Sequence, residues 1–141
     1  YVMRASDPFE IVELARKATR GGKPALEDPV IKDQLIQLMI EARSLQLNSK
    51  RGHIQPLVQD KPASLALSSK LMATEFMRRL NEFAITLQGQ RGAYYVGEPD
   101  AYDEGLWQRA YLNSFSATIG GGTSQIQRNI IGEHVLGLPK S

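Results

Sequence analysis

The chain has 141 residues, of which 42% are hydrophobic and 23% are charged. These proportions are typical of a single globular domain that can bury its own core. The net charge is only +2, with acidic and basic side chains interspersed, so nucleic acid is not indicated as a partner. There is no cysteine for a disulfide or a thiolate, and no apolar run approaches the length of a membrane span. We therefore expect a cytoplasmic protein, and the first residue, Tyr1, leads us to expect a fragment of a longer chain.

The first half of the sequence carries two helix start signals. Ser6-Asp7-Pro8 joins a capping residue to a proline, and the helix that follows is expected to end at Gly21-Gly22. Asp28-Pro29 repeats this start, and the apolar residues after it recur at alternating steps of four and three. Those residues are Ile31, Leu35, Leu38, Ala42 and Leu45, and a second apolar flank consists of Ile36, Ile40 and Leu47. The stripe is wider than one neighbouring helix covers, which predicts self-association through this helix.

The second half of the sequence predicts three further helices. Residues 63–88 form the clearest amphipathic pattern, whose apolar face consists of Met72, Phe76, Leu80, Phe83 and Leu87. Residues 105–119 and 125–136 are the fourth and fifth helices, and residues 89–103 are a loop that we expect to be packed around its tyrosines. No segment shows sustained alternation of apolar and polar residues, so no sheet is expected. The predicted fold is all-α, an up-and-down four-helix bundle with a short fifth C-terminal helix.

A glycine-rich segment separates the last two helices. Gly120, Gly121 and Gly122 let the main chain approach a ligand closely, because glycine has no Cβ. Ser124 and Gln127 have the spacing of a capping box, which predicts that the last helix begins there. A glycine-rich loop that leads into a helix N-terminus favours a ligand oxygen. The same pattern also makes a sharp turn between two helices, so these residues alone leave both interpretations open.

Other side chains give little support for catalysis or metal binding. His53 and His134 have no partner at metal-ligand spacing, so no metal site is predicted. Ser68-Ser69 has no adjacent histidine, which leaves nucleophilic catalysis without support. Arg128 lies beside apolar neighbours inside the last helix, and we expect it to form a structural ion pair rather than to bind phosphate.

Residues 118–139 resemble the C-terminal signature of the acyl-CoA dehydrogenase family. The segment reads TIGGGTSQIQRNIIGEHVLGLP, and it follows the family pattern GGTS-[EQ]-IQRNIIxExxLGLP in register. Looser similarity extends through residues 63–87 and 29–45, so the resemblance covers most of the chain. It implies that residues 1–141 are the C-terminal helical bundle domain of a longer flavoprotein. In the family, FAD and an acyl-CoA thioester are bound and the acyl group is desaturated between its α and β carbons.

The resemblance also assigns roles to residues of the glycine segment. Gly122, Thr123 and Gln125 match positions that contact FAD, and the main-chain N–H of Gly121 matches one that holds the thioester carbonyl oxygen. Such an N–H stabilises the enolate charge that builds up when the α-proton leaves. Many members have the catalytic glutamate at the position of Gly121, so no residue of this chain is expected to be catalytic.

Two family motifs that reach the flavin of a neighbouring subunit have no matching residue here. An arginine that precedes a Phe-Gly pair should fall near Ala18, with Gly21-Gly22 in place of Phe-Gly, and Arg16 and Arg20 are only neighbours of that position. The glutamine of the Q-x-x-G-G motif has no match before residues 87–92. Cross-subunit flavin contact is therefore not expected from this chain.

The resemblance implies partners as well as a cofactor. These are an acyl-CoA substrate, electron-transfer flavoprotein as electron acceptor, and further subunits in a homo-oligomer (dimer or tetramer) or in a hetero-oligomer with a paralogue. Two alternatives of another class stay open. The chain is either a non-catalytic partner subunit of an active paralogue or a helical domain used only for association.

Overall fold

The computed structural model describes residues 8–57 and 62–140, and within residues 62–67 it describes the backbone alone. Its helices are α1 (Glu10–Lys17), α2 (Pro29–Arg51), α3 (Pro62–Leu87), α4 (Leu106–Ile119) and α5 (Ser124–His134). Short 3-10 turns occur at Ala25–Glu27, Gln55–Leu57, Gly89–Ala93 and Tyr102–Gly105. The predicted all-α bundle is thus confirmed, with α5 as the short C-terminal helix. None of the helices in the described ranges is both long and apolar enough to cross a membrane.

Helix α3 lies at the centre of the bundle and packs against each of the other four helices. Its buried side chains recur every three or four residues, as the sequence predicts, and comprise Phe76, Leu80, Phe83, Ala84 and Leu87. Met72 was expected on the same face, but it is 41% exposed. Trp107 of α4 is the largest side chain buried against this core.

The first helix is shorter than the sequence predicts. Helix α1 begins at Glu10 and ends at Lys17, and the expected capping residues Ser6 and Asp7 lie outside the described residues. The expectation that no sheet forms is wrong in one place, because Thr19–Arg20 pairs antiparallel with Lys23–Pro24. Gly21-Gly22 is the turn of this hairpin rather than the end of a helix. Both glycines have positive φ, at 57° and 78°, which is the backbone conformation that a two-residue hairpin turn requires.

Helix α2 begins and is buried as the sequence predicts. The carboxylate of Asp28 accepts hydrogen bonds from the main-chain N–H of Val30 at 2.9 Å and of Ile31 at 3.5 Å, so it caps the helix. Its inward face is buried at Ile31, Leu35 and Ala42. The second apolar flank is exposed, at 48% for Ile36, 57% for Ile40 and 52% for Leu47. Helix α2 therefore presents an apolar face that this chain does not cover.

The connection between α3 and α4 is not packed around its tyrosines, and Asp103 at its end joins two helices. Tyr94 and Tyr95 are exposed, contrary to the expectation of a packed loop, and only Tyr102 is half-buried against the core. Asp103 has a left-handed backbone with φ 47°, and its carboxylate accepts hydrogen bonds from Lys17 Nζ at 3.0 Å and Trp107 Nε1 at 2.9 Å. One side chain thus ties α1 to the start of α4.

Candidate functional site

The glycine segment forms a tight loop between α4 and α5. Gly120 ends α4, and its N–H donates to the carbonyl of Ser116 at 2.8 Å. Gly121 and Gly122 then take positive φ values of 69° and 97°, a region that residues with a Cβ rarely adopt. Two consecutive glycines in this region reverse the chain, so α5 begins beside the end of α4.

Helix α5 begins one residue earlier than a capping box at Ser124 would require. Thr123 has the extended conformation of a capping residue, with φ −61° and ψ 164°, and its hydroxyl accepts from the N–H of Ile126 at 3.3 Å. Ser124 is already the first helical residue. The predicted pairing of Ser124 with Gln127 is therefore wrong, because the reversal at the glycines presents the Gly121 carbonyl to Gln127 instead.

Two side chains from different helices bind consecutive carbonyls of the loop. The buried Gln127 of α5 donates through Nε2 to the Gly121 carbonyl at 2.7 Å. The half-buried Lys70 of α3 donates through Nζ to the Gly122 carbonyl at 2.7 Å. A bond from an ammonium group is stronger than a bond between neutral groups. The loop is therefore anchored to α3 and α5 by its main chain.

An ion pair ties the first turns of α5 to α3. Arg128 donates to the carboxylate of Glu75 at 2.6 Å, which confirms the expectation that this arginine forms a structural ion pair. Burial works to raise the pKa of the Glu75 carboxyl, but hydrogen bonds from Arg128 and Ser124, with the charges of Arg128 and Arg79, hold that pKa below its ordinary value. Glu75 is therefore ionised beside the loop at neutral pH.

The structure brings the four residues assigned by resemblance onto one loop and the first turn of one helix. Gly121 is exposed, Gly122 and Thr123 are half-buried, and Gln125 is exposed as the second residue of α5. A Cβ added to Gly121 would meet only Lys70 Cε, at 3.9 Å, so the main chain there is open to a ligand. A Cβ on Gly122 would lie 3.0 Å from Gln127 Nε2. The main chain is thus open at Gly121, whereas side chains of α5 lie close to Gly122.

Sequence reasoning missed the contributions of Lys70 and Glu75. Both lie on the charged face of α3, which the amphipathic pattern assigns to solvent. Their partners, Gly122 and Arg128, are 52 and 53 residues further along the chain, so no local spacing could reveal the contacts. His53 and His134 are both exposed, and among the described residues no group of three or more acidic or histidine side chains could hold a metal ion.

A cleft of about 420 Å³ lies between the hairpin and the end of α3, away from the glycine loop. Its lining includes Arg20, Gly21 and Gly22 from the hairpin, with Gln88 and Arg91 from the opposite side. These are the two segments where the unmatched cross-subunit motifs fall, so the structure brings them together. Gln88 accepts a hydrogen bond from Gln108 at 2.9 Å and is buried, which commits its amide to the interior. Ala18, near which the resemblance places the family's arginine, is fully buried.

Comparison with known proteins supports the family resemblance of residues 118–139. Residues 3–136 match the family model "Acyl-CoA dehydrogenase, C-terminal domain". Acyl-CoA dehydrogenase IpdE1 of Mycolicibacterium smegmatis is 35% identical over 136 residues, which are 96% of this chain and 31% of that protein. Acyl-CoA dehydrogenase IpdE1 of Mycobacterium tuberculosis is 34% identical over 140 residues, 99% of this chain and 33% of that protein. The chain thus spans about a third of the length of these relatives.

Solved structures share the fold at lower sequence identity. The Tcur3481-Tcur3483 steroid ACAD superposes with a TM-score of 0.79 at 21% identity, over 95% of this chain and 34% of that one. The ChsE4-ChsE5 complex from Mycobacterium tuberculosis gives a TM-score of 0.79 at 23% identity, over 100% of this chain and 37% of that one. On the family match, the helical fold and the signature loop together, this chain belongs to the acyl-CoA dehydrogenase family and corresponds to its C-terminal domain.

Proposed function

We propose that this chain supplies one edge of the flavin site, and part of the oligomer interface, of an FAD-dependent acyl-CoA dehydrogenase. The observation that carries the proposal is the loop at Gly121 and Gly122, whose open main chain is fixed at both carbonyls and lies in the family's signature segment. FAD, when bound, accepts the hydride that leaves the β carbon of the acyl group. Gly122, Thr123 and Gln125 contact this cofactor in the proposal.

In this proposal Gly121 acts through its main chain. Removal of the α-proton places negative charge on the thioester oxygen, and a fixed N–H stabilises that charge better than mobile water does. The open space around Gly121 lets a substrate oxygen approach its N–H. The Gly121 N–H belongs to the peptide that follows the Gly120 carbonyl, directly before the two peptides that Gln127 and Lys70 hold.

The catalytic base comes from outside residues 1–141 in this proposal. An effective base has its pKa near the working pH, whereas Arg128 and Ser124 hold the pKa of Glu75 below its ordinary range. Glu10 and Glu13 are exposed on α1, and Glu13 lies 3.7 Å from Arg16. Glu133 is nine residues after Ser124, roughly 13 Å further along α5, too far to serve a site at the loop. A carboxylate from another part of the longer chain or from a partner is therefore required.

A second candidate is that this chain is a non-catalytic subunit paired with an active paralogue. It is favoured by the lack of a match to the family's arginine near the buried Ala18, and by Gln88 in the cleft beside the hairpin, whose amide is bonded internally. The fold is shared with the ChsE4-ChsE5 complex and with the Tcur3481-Tcur3483 steroid ACAD. The exposed apolar face of α2 would supply interface in a homo-oligomer or in such a pair.

The experiment that tests the proposal is expression of the full-length parent, followed by flavin spectroscopy and reduction by a panel of acyl-CoA thioesters, including steroid-linked ones. We expect bound FAD, bleaching of its visible absorbance by at least one thioester, and reoxidation by electron-transfer flavoprotein. A parent without flavin that regains it only when a paralogue is co-expressed would favour the partner-subunit candidate. A parent that binds no flavin in either case would contradict both candidates and leave association as the function.

A further inference from the structure

We propose that Lys70 and Gln127 are positioning residues that aim the main-chain N–H groups of Gly122 and Thr123 at the flavin. The inference rests on the proposed function, because it assumes that the loop borders a bound FAD. It goes beyond that function by assigning a role to two side chains that lie outside the loop. Neither residue is expected to touch substrate or to transfer a proton.

The direction of a main-chain N–H group follows from the geometry of the peptide bond. A trans peptide is planar, so its N–H points away from its own C=O. The bond from Gln127 to the Gly121 carbonyl therefore sets the direction of the Gly122 N–H. The bond from Lys70 to the Gly122 carbonyl sets the direction of the Thr123 N–H in the same way.

These two peptide planes need to be held because they adjoin glycines. Gly121 and Gly122 have positive φ, and glycine has more backbone freedom to lose than any other residue. Without anchors, consecutive glycine peptides could rotate and turn their N–H groups away from a ligand. The two bonds of 2.7 Å come from different helices, so each anchor is held by the packed bundle rather than by the loop itself.

The glycines of the loop leave room for the two anchoring side chains. A Cβ on Gly122 would stand 3.0 Å from Gln127 Nε2, so glycine is what allows that amide to reach the Gly121 carbonyl. The stem of Lys70 passes beside Gly121, with Cε 3.9 Å from the position of an added Cβ. The glycines therefore serve the contacts behind the loop as well as the face that is open to a ligand.

Lys70 also has an electrostatic effect that Gln127 lacks. A hydrogen bond to a carbonyl polarises its peptide, so an ammonium donor makes the N–H of Thr123 a stronger donor in turn. Reduction adds electrons to the flavin, and a positive charge behind the loop favours the reduced state. Loss of Lys70 should therefore weaken FAD binding and also lower the flavin reduction potential.

The test uses the full-length protein with any partner that co-purifies. Lys70→Met removes the donor but keeps a similar stem, and Lys70→Arg keeps a charged donor. We expect Lys70→Met to weaken FAD binding about 10- to 100-fold and to lower the reduction potential. Lys70→Arg should recover most of the FAD affinity and most of the potential. Gln127→Met, which removes the donor without adding a charge, should weaken FAD binding with a smaller change in potential. Lys17→Met is the matched control, because it breaks a lysine bond of 3.0 Å on another part of the bundle.

The outcomes distinguish a failure of the positioning role from a failure of the proposed function. Wild-type FAD affinity and potential in Lys70→Met, with flavin present in the wild type, would overturn the positioning role alone. A loss that Lys70→Arg does not recover, or that Lys17→Met reproduces, would mean general destabilisation and would also overturn it. If Lys70→Met does not fold, Gln127→Met decides by its FAD affinity. A wild-type protein without any flavin would overturn the proposed function and this inference together.

Discussion

The guanidinium of Arg128 lies 2.6 Å from the carboxylate of Glu75, so the second turn of α5 is joined to the middle of α3. Ser124, the first residue of α5, also acts on this carboxylate. Both contacts favour the ionised form and hold the pKa of Glu75 below its ordinary value of 4.5, against the effect of burial. The stability that this carboxylate contributes therefore depends on pH.

The first prediction concerns that dependence. A group whose pKa is lower in the folded state stabilises the fold above its unfolded pKa, and the contribution is lost as the pH falls through the folded value. Since the pair is partly exposed, we expect Glu75→Gln to lower the free energy of unfolding by about 0.2–1 kcal/mol at neutral pH. The difference from wild type should vanish in acid, below the folded pKa of Glu75. Denaturant unfolding across this range measures it, with Glu98→Gln in an exposed loop as control, and a constant difference would contradict the prediction.

The second prediction compares the two glycines of positive φ. Gly121→Ala and Gly122→Ala both impose a left-handed conformation on alanine, at about 1 kcal/mol or more each. Gly122→Ala also crowds Gln127 Nε2 at 3.0 Å, whereas Gly121→Ala meets Lys70 Cε at an ordinary 3.9 Å. Loss of the Gln127 bond adds about 1 kcal/mol, so Gly122→Ala should be the more destabilising change. Equal midpoints of unfolding for the two variants would show that the Gln127 contact contributes nothing.

The third prediction concerns Asp103, which accepts from both Lys17 and Trp107. Asp103→Ala leaves the buried indole N–H unsatisfied and keeps an unfavourable φ of 47°, so we expect a loss of about 1–3 kcal/mol. Asp103→Asn tolerates the left-handed backbone and can still accept from Trp107, and it should lose less. Thermal unfolding of the two variants is the measurement. An alanine variant as stable as the asparagine variant would argue against the tie between α1 and α4.

The fourth prediction concerns assembly. Ile36 and Ile40 are 48% and 57% exposed and lie together in an apolar groove of α2. Ile36→Lys and Ile40→Lys in the full-length protein would place charges in an interface and should reduce its mass in light scattering. Leu112→Lys, at a residue 58% exposed on α4, is the control that should leave the mass unchanged. An oligomer unaffected by both α2 variants would show that this face is not the interface.

The fifth prediction is that the isolated 141-residue chain is folded and helical but colourless. A dinucleotide cofactor is normally held by a concave site that buries most of its surface, and the loop at Gly121–Thr123 offers one edge only. Circular dichroism should show helix, and gel filtration should separate the chain from added FAD. Stoichiometric FAD in the protein peak would mean that this domain holds the cofactor by itself.

The sequence determined the helical architecture because its signals are local. Asp28 caps α2 where the Asp-Pro pair predicts it, and residues three or four positions apart on α1, α2 and α3 are buried together. The family signature likewise lies in one continuous segment, so the glycine loop could be located without tertiary information. The exposed flank of α2 followed from the width of the apolar stripe, since no single neighbour covers so much of a helix.

The tertiary structure alone decided what the loop is attached to. Lys70 and Glu75 look like solvent-facing charges in the pattern of α3, and only the packing of α5 against α3 gives them Gly122 and Arg128 as partners. The same is true of Gln127, whose sequence spacing indicates a capping box but whose amide binds the carbonyl turned toward it by two left-handed glycines. Helix periodicity in the sequence shows which face of a helix is apolar. It does not record which polar groups of distant segments meet, because those contacts depend on how the helices pack and on the backbone angles of the loop between them.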